Sequence, residues 1–419
     1  MRNVAKRAIR LEEATTQLEL RDIVRRDLRE FVVTAGALAL AQVLEGERTA
    51  LCGEKHARAP ERRYVRGGHA PGRLVLGGRH VTVSRPRVRT KDGGEAHLPS
   101  WTQFAAHDPL TERAMEQMLL GVSTRRYERS LEPIGPAMKA SGTSKSAVSR
   151  RWVDVTQAQM TTWLRRDLST LDLVVVMIDG LHIDEHVVLV ALGIDVDGRK
   201  HVLGLRLGAT ENTTSTTALL ADVRDRGVRT DVTTLFVLDG AKALRKAVRD
   251  VFGDKAIVQR CQLHKTRNVI EQLPESMRES VTLAMRQAYT SSTPKRARAL
   301  LMNLARRLRA DRPDAAASLE EGLDETLTIL AFGLPSRLAR ALSNTNMIEN
   351  LIGVCRDTTK RVKRWRDGSM VVRWLVASVV DAAKRFRRVW SFSDIKRLAA
   401  QLRRNDETAR TLDVKGKAA

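Results

Sequence analysis

The sequence predicts an α/β protein whose core follows the order β-β-β-α-β-α-β, carries a helical insertion, and is preceded by helical and small β modules. Three observations predict it. Between residues 171 and 260, short β-branched and apolar runs alternate with turn residues and two helix-period stretches. Two of those runs end alike, Leu173-Val174-Val175-Val176-Met177-Ile178 on Asp179-Gly180 and Thr234-Leu235-Phe236-Val237-Leu238 on Asp239-Gly240. From Pro274 to Leu342 the apolar residues fall at helical spacing, with Leu300, Leu301, Leu304 and Leu308 set among arginines.

Taken in chain order, Leu18, Ile23, Leu28, Val32, Leu38 and Val43 recur among charges without a proline to break them, which predicts one or two helices in an N-terminal region, 1–60. Composition then shifts. Arg62 to Lys91 is rich in Arg, Gly and Val, and Arg73-Leu74-Val75-Leu76 and His80-Val81-Thr82-Val83 flank Gly77-Gly78, a hairpin signal within a small basic β element, 61–108. Leu110 to Leu120 reads as a helix, Gly121 interrupts it, Ser123 to Leu131 restarts it, and a third helix begins after Gly142 with hydroxyl caps. Short helices joined by tight turns, the last presenting Lys145, Ser149, Arg150 and Arg151, predict a helix-turn-helix-like DNA-binding domain, 109–168. A plain helical bundle with a basic face is the competing reading.

The core occupies 169–273. Leu173 to Ile178, His186 to Ile194 and His201 to Leu207 are successive strands, the last two linked through Asp197-Gly198. Thr216 to Arg226 is a helix, Leu235 to Leu238 a buried strand, Ala241 to Val251 an amphipathic helix and Ala256 to Gln259 a strand. This is the order of the ribonuclease H-like fold, whose first and fourth strands lie side by side, so the two Asp-Gly ends are expected as neighbours on one rim. The helical insertion spans 274–342, a final helix bearing Glu349 and further C-terminal helices span 343–405, and a flexible tail spans 406–419.

Bulk properties narrow the partner. Lys+Arg 73 against Asp+Glu 49 leaves a net charge of +24, which calls for a polyanion. The longest apolar stretch, Phe31 to Leu44, falls short of the ~20 residues a membrane span needs, so no membrane partner is expected. The N-terminus shows no secretion signal and Cys52, Cys261 and Cys355 form no disulfide framework, so a cytoplasmic, nucleoid-associated protein is expected.

Asp179, Asp239 and Glu349 supply hard oxygen ligands of the kind Mg²⁺ prefers, with Mn²⁺ as a substitute, and two such ions suit in-line attack at a phosphodiester. Any one of them alone could equally be a turn former. After the second Asp comes Cys261-Gln262-Leu263-His264, with Lys265 and Arg267 behind it. A structural zinc site needs four ligands and no second compact pair follows, so support of the acidic rim or contact with DNA is the better reading of Cys261 and His264. Gly353, Arg356 and Lys360 share the helix face of Glu349, and Arg361-Val362-Lys363-Arg364-Trp365-Arg366 sets cations around one Trp, suited to phosphate contacts and base stacking. The bland alternative is a solvated basic face with a core Trp.

These residues resemble the DDE transposases of the bacterial Mutator-type insertion-sequence family over most of the chain. In that family the first Asp follows an apolar strand, the second precedes a short helix and a C-x-x-H follows, as Asp179, Asp239-Gly240 and Cys261 to His264 do. Thr345-Asn346-Met347-Ile348-Glu349-Asn350 matches its Asn-x-Ile-Glu, Leu119-Leu120-Gly121-Val122-Ser123-Thr124-Arg125-Arg126 resembles its Gly-Val-Ser-Thr-Arg segment, and Ser146-Ala147-Val148-Ser149-Arg150 its Ser-x-Val-Ser-Arg. The block Val362 to Gly368 with Arg373-Trp374 looks like a subgroup signature. The resemblance implies Mg²⁺-dependent 3′-end cleavage and strand transfer on double-stranded DNA, at terminal inverted repeats and a target, by a homodimer or higher oligomer. Rivals are a nuclease or resolvase of the same fold that only hydrolyses, and a non-catalytic, sequence-specific DNA-binding derivative.

Overall fold

The computed structural model describes residues 28–56, 63–76, 78–106, 109–132, 134, 139–208 and 212–404; the helical pattern over residues 11–27 and the tail 406–419 lie outside the described residues. Two units form, 1–155 and 156–419.

In the first unit, helix α1 (Leu28–Cys52) packs on a hairpin of β1 (Tyr64–Leu76) and β2 (Arg79–Thr90). The hairpin is longer than its sequence signal. Its register runs from Leu76↔Arg79 to Tyr64↔Thr90, and Glu95–Ala96 (β3) and Ala140–Ser141 (β4) extend β2. Leu40, Leu44 and Cys52 of α1 share one apolar cluster with Leu74, Val81, Val83, Val88 and Leu98, so the helical region and the β element form one core. Helices α2 (Pro99–Ala106) and α3 (Pro109–Leu119) follow.

The helix expected over Ser123 to Leu131 does not form. After Gly121, whose φ of 88° is left-handed, the chain runs in turns and completes a single 3-10 turn at Glu128–Ser130. The reason is Tyr127: its side chain is fully buried and its hydroxyl donates to the Gly78 carbonyl at 2.9 Å. Ala114, Leu131 and Val148 close a small cluster around it. Burying one aromatic with its hydroxyl satisfied outweighs a short, isolated helix. The three-helix arrangement is therefore two helices, α3 and α4 (Lys145–Arg165), separated by turns. The Ser144 hydroxyl accepts from Ala147 N at 3.3 Å to start α4, and the boundary between the two units falls within this helix.

In the second unit the strands and helices β5 (Leu173–Ile183), β6 (His186–Asp195), β7 (Lys200–Gly208), α5 (Thr213–Asp225), β8 (Thr234–Leu238), α6 (Lys242–Phe252) and β9 (Ala256–Arg260) follow the expected order. They make a five-stranded mixed sheet, β7-β6-β5-β8-β9, antiparallel across β5, β6 and β7 and parallel across β5, β8 and β9. One apolar cluster on the sheet joins Leu219, Leu220, Val223, Leu244, Val248 and Phe252 of α5 and α6. Another joins Ile348, Leu351 and Ile352 of α13 (Asn346–Thr359) with Leu375 and Val379 of α14 (Gly368–Ala383) and Leu398 and Leu402 of a last helix, residues 395–404. Covering both faces explains why the strands read as continuous apolar runs.

Between β9 and α13 lie α7 (Gln262–Glu271), α8 (Glu275–Tyr289), α9 (Pro294–Arg309), α10 (Pro313–Glu320), α11 (Leu323–Thr326) and α12 (Ser336–Leu342). Helix begins directly at Gln262, ahead of the expected start of the insertion. Leu301, Leu304 and Leu308 are buried in a cluster of their own with Met285 and Leu319, while Leu300 packs at its edge.

Tyr127→Phe removes the hydroxyl and leaves the Gly78 carbonyl short of a donor, so the urea midpoint should fall by the equivalent of about 1 kcal/mol; an unchanged midpoint would dismiss the anchor.

Candidate active site

Alternation along β5 sends Val175, Met177, Leu181 and Ile183 into the cluster that contains α13, and Val176 and Ile178 into the other. Asp179 shares the parity of the first set. On β8, Leu235 and Val237 face the same way, and Asp239, one residue past the strand, continues their parity. The last parallel pair is Met177↔Val237, so Asp179 and Asp239 stand in register two residues beyond it, on strands about 4.8 Å apart. Helix α13 packs on β5 and carries Glu349 in its first turn. Two strands and one helix thus bring the three acids to one face of one rim.

Asp179 is not at a strand end, as its Asp-Gly signal suggested. β5 continues to Ile183, and Asp179 pairs with Val190 of β6. The end that matters is that of β8: the pairing with β5 stops at Val237, so the flank of Asp179 on that side is unpaired. Asp239 does terminate its strand. Gly240 then turns at φ 109°, a left-handed conformation that favours glycine, and a Cβ there would displace the Arg260 guanidinium that lies across it.

Neighbouring amides hold both aspartates: Gly180 N donates to Asp179 Oδ1 and Ala241 N to Asp239 Oδ1, each at 2.8 Å. Burial pushes the Asp179 carboxyl up to about 6; the charges of Asp239 and Glu349 add to the rise, while the Gly180 amide and His264 oppose it. Asp179 therefore feels the charge of both other acids.

Among the described residues no three His, Cys, Asp or Glu side chains stand gathered so that they could hold a metal ion. The donor chemistry nonetheless fits a hard divalent cation: oxygen ligands only, with a surplus of negative charge around Asp179 that a cation would relieve. Mg²⁺ ordinarily keeps several waters and takes one or two carboxylates plus substrate phosphates, so a closed cage is not a requirement for it.

Cys261 is buried and caps α7, its Sγ accepting from His264 N at 3.5 Å. Thr345, the residue before α13, lies 3.4 Å from Cys261 Sγ, 3.3 Å from His264 Nδ1 and 2.5 Å from Glu349 Oε1. His264 Nδ1 is itself 3.9 Å from Glu349 Oε1. The bond with Cys261 raises the His264 pKa against the opposing effect of burial, and the charges of Cys261, Glu349 and Asp239 add to the rise. The Cys261 thiol is lowered although burial pushes it up, because bonds with His264 and Thr345 prevail. The C-x-x-H thus adjoins Glu349, and sequence reasoning missed Thr345, the residue that joins them. A hydroxyl four residues before an acid that opens a helix was the available signal.

The expected DNA-contacting cations divide. Lys265 is overturned: it is fully buried, and Nζ donates to the carbonyls of Ser318 at 2.5 Å and Glu321 at 2.6 Å. Burial and the neighbouring Arg260 lower its pKa to about 8. Trp365 is half-buried and packs against the cluster that includes α13 and α14. Arg267, Arg356, Lys363, Arg364 and Arg366 are exposed, as is Lys360, which pairs with Asp357 at 2.5 Å. In the first unit Arg125, Arg126, Lys145 and Arg150 are exposed, Ser149 is half-buried, and Arg151 turns toward the hairpin with Nη2 3.3 Å from His80 Nε2.

The model of the family described as "Transposase, Mutator family" matches residues 9–407. The transposase for insertion sequence element ISRM5 of Rhizobium meliloti is 27% identical over 88% of this chain and 92% of its own. The transposase for IS6120 of Mycolicibacterium smegmatis is 31% identical over 58% of this chain and 75% of its own. The transposase for IS256 in transposon Tn4001 of Staphylococcus aureus is 25% identical over 81% and 87%.

Two outcomes follow from this geometry. The folded Asp179 ionises near 6 and an unfolded Asp near 4, so its ionisation penalty is absent below about 4, grows between the two values and is complete above them. Asp179→Asn should therefore stabilise the protein in EDTA at pH 8 by about 1–3 kcal/mol and leave it unchanged near pH 4, read as melting temperature. A variant no more stable at pH 8 contradicts the burial of this carboxyl. Lys265→Met should cost about 1–3 kcal/mol in urea while DNA affinity stays within about twofold; lost affinity at intact stability would return Lys265 to the DNA-contacting set.

Proposed function

Since the chain belongs to the Mutator family of transposases, we propose that it is a Mg²⁺-dependent DDE transposase that cleaves the 3′ ends of an insertion sequence and joins them to target DNA. The observation that carries this reading is the shared register of Asp179 and Asp239 on parallel strands, with Glu349 above them on the helix packed against β5. On this reading the five-stranded sheet with its helices is a ribonuclease H-like core. The relatives' names, each a transposase for an insertion sequence element, agree with it.

Asp179, Asp239 and Glu349 would hold the metal. Mg²⁺ bound there supplies charge neutralisation on the entering and leaving oxygens and lowers the pKa of the attacking water or hydroxyl. The chain's own residues do the rest. The amides of Gly180 and Ala241 fix the two aspartates, so little side-chain freedom remains to be lost on binding. Arg356, exposed on the α13 helix that carries Glu349, meets backbone phosphates of the scissile strand, with Lys363, Arg364 and Arg366 continuing the track. In the first unit, Arg125, Arg126, Lys145 and Arg150 contact the terminal inverted repeats. The net charge of +24 makes the encounter strongly salt-dependent. Cleavage at two ends brings together a homodimer or larger assembly on DNA, within the cytoplasm where the chromosome lies.

Asp239→Asn keeps the turn and removes a charged ligand. It should abolish 3′-end cleavage of repeat-end DNA in Mg²⁺ while repeat binding stays within a few-fold; cleavage near the wild-type rate would sink the assignment.

A further inference from the structure

The two aspartates are short and each is tied to an amide one or two residues away, but Glu349 has a longer side chain, 39% exposed, on the first turn of a helix. Unanchored, it would sample several rotamers. What anchors it is an unusual use of Thr345. From the position preceding a helix, a threonine hydroxyl ordinarily accepts an amide proton of the first turn. That bond is absent here, and the Asn344 side chain takes the Asn346 amide instead, at 3.0 Å.

The freed hydroxyl sits fully buried between three groups: Glu349 Oε1 at 2.5 Å, His264 Nδ1 at 3.3 Å and Cys261 Sγ at 3.4 Å. A hydroxyl has one proton and two lone pairs, and a carboxylate can only accept. The proton can serve Cys261 Sγ or Glu349 Oε1 but not both, and the contact with Glu349 is the shorter, so it goes there; Oγ1 is left to accept, which His264 meets in the tautomer that carries its proton on Nδ1. The turn is itself fixed, for Cys261 N donates to Leu238 O at 2.7 Å and Gln262 N to Ser343 O at 2.9 Å. The hydroxyl is thus held from the sheet on one side and from the approach to α13 on the other.

We infer that Thr345 is the positioning residue of Glu349, its hydroxyl fixing the carboxylate while the Cys261–His264 turn fixes the hydroxyl. This rests on the reading of Glu349 as the third acid. It also gives the C-x-x-H a role, as a bracket for the acid and not as a metal site.

Full-length protein with repeat-end DNA and Mg²⁺ tests it, read as cleavage rate, repeat binding and, separately, the thermal shift produced by Mn²⁺. Thr345→Val keeps nearly the same shape and loses the hydroxyl; cleavage should fall about 10–100-fold and the Mn²⁺ shift should shrink, with repeat binding unchanged. Thr345→Ser loses a methyl and keeps the hydroxyl, and should cleave within a few-fold of wild type. The reverse ranking, an active valine and an impaired serine, is what a packing role gives, and it overturns the inference. If the valine variant does not fold, Thr345→Ala against Thr345→Ser isolates the same proton, and equal rates for the two overturn it. Asp239→Asn run alongside separates the two readings: if it is inactive while Thr345→Val cleaves normally, only the positioning role falls, and if it cleaves, the site itself falls.

Discussion

The parallel pairing of β5 with β8 is the constraint on which the rest depends. It spans only Val175↔Leu235 to Met177↔Val237, yet it decides which face each aspartate reaches. A slip of one residue would turn Asp239 to the face occupied by α5 and α6, away from Glu349. The register is protected by burial. All five residues of β8 are buried, Phe236 meets Phe252 of α6 edge to face with ring centroids 4.8 Å apart, and Leu235 and Val237 fill the opposite cluster. Both clusters would have to be broken for the pairing to shift.

That rigidity sets an acidic rim whose own charge opposes folding, since burial and two neighbouring acids raise Asp179. The surrounding second unit offsets this with cations placed against carbonyls and acids of the insertion. Lys265 reaches the carbonyls of Ser318 and Glu321 at the C-terminal end of α10, where a positive charge is favoured. Arg260 donates to the Glu321 carbonyl at 3.0 Å and its carboxylate at 3.2 Å while lying across Gly240. Arg245 and Arg249 of α6 both pair with Glu325. The insertion is thereby stitched to the turn that carries Asp239, so its helices bear on the acid without supplying any ligand.

How much of this was legible in the sequence follows from what each feature depends on. The strands and helices of the core were legible because two-sided burial writes itself as β-branched runs and the turns as Asp-Gly. Of the three acids, Asp239 and Glu349 do stand beside such a boundary, whereas Asp179 lies within β5, behind an Asp-Gly that does not end the strand. Hidden were the features set by a distant partner. Ser123 to Leu131 has helical spacing, but Tyr127 answers to Gly78 far upstream. Lys265 looked like one more cation behind the C-x-x-H, and only the fold shows that carbonyls of α10 enclose it. Trp365 sat among charges, which conceals that it packs in part against the core. The extension of β5 past Asp179 was masked by Gly180, which reads as a turn but continues the pairing with Leu189.

The same register logic accounts for the place of the C-x-x-H in the chain. β8 pairs with β9 through Leu238↔Arg260, so the next residues, Asp239 and Cys261, stand level on adjacent parallel strands, as Asp179 and Asp239 do. Three neighbouring strands therefore deliver Asp179, Asp239 and Cys261 in turn along one rim. The first two are acids short enough to be fixed by their own backbone. The third position starts a helix, and its side chains reach Thr345 and through it the long acid that arrives from α13. A glutamate on a helix needs an anchor from outside that helix, and the strand beside Asp239 is the nearest rigid element that can carry one.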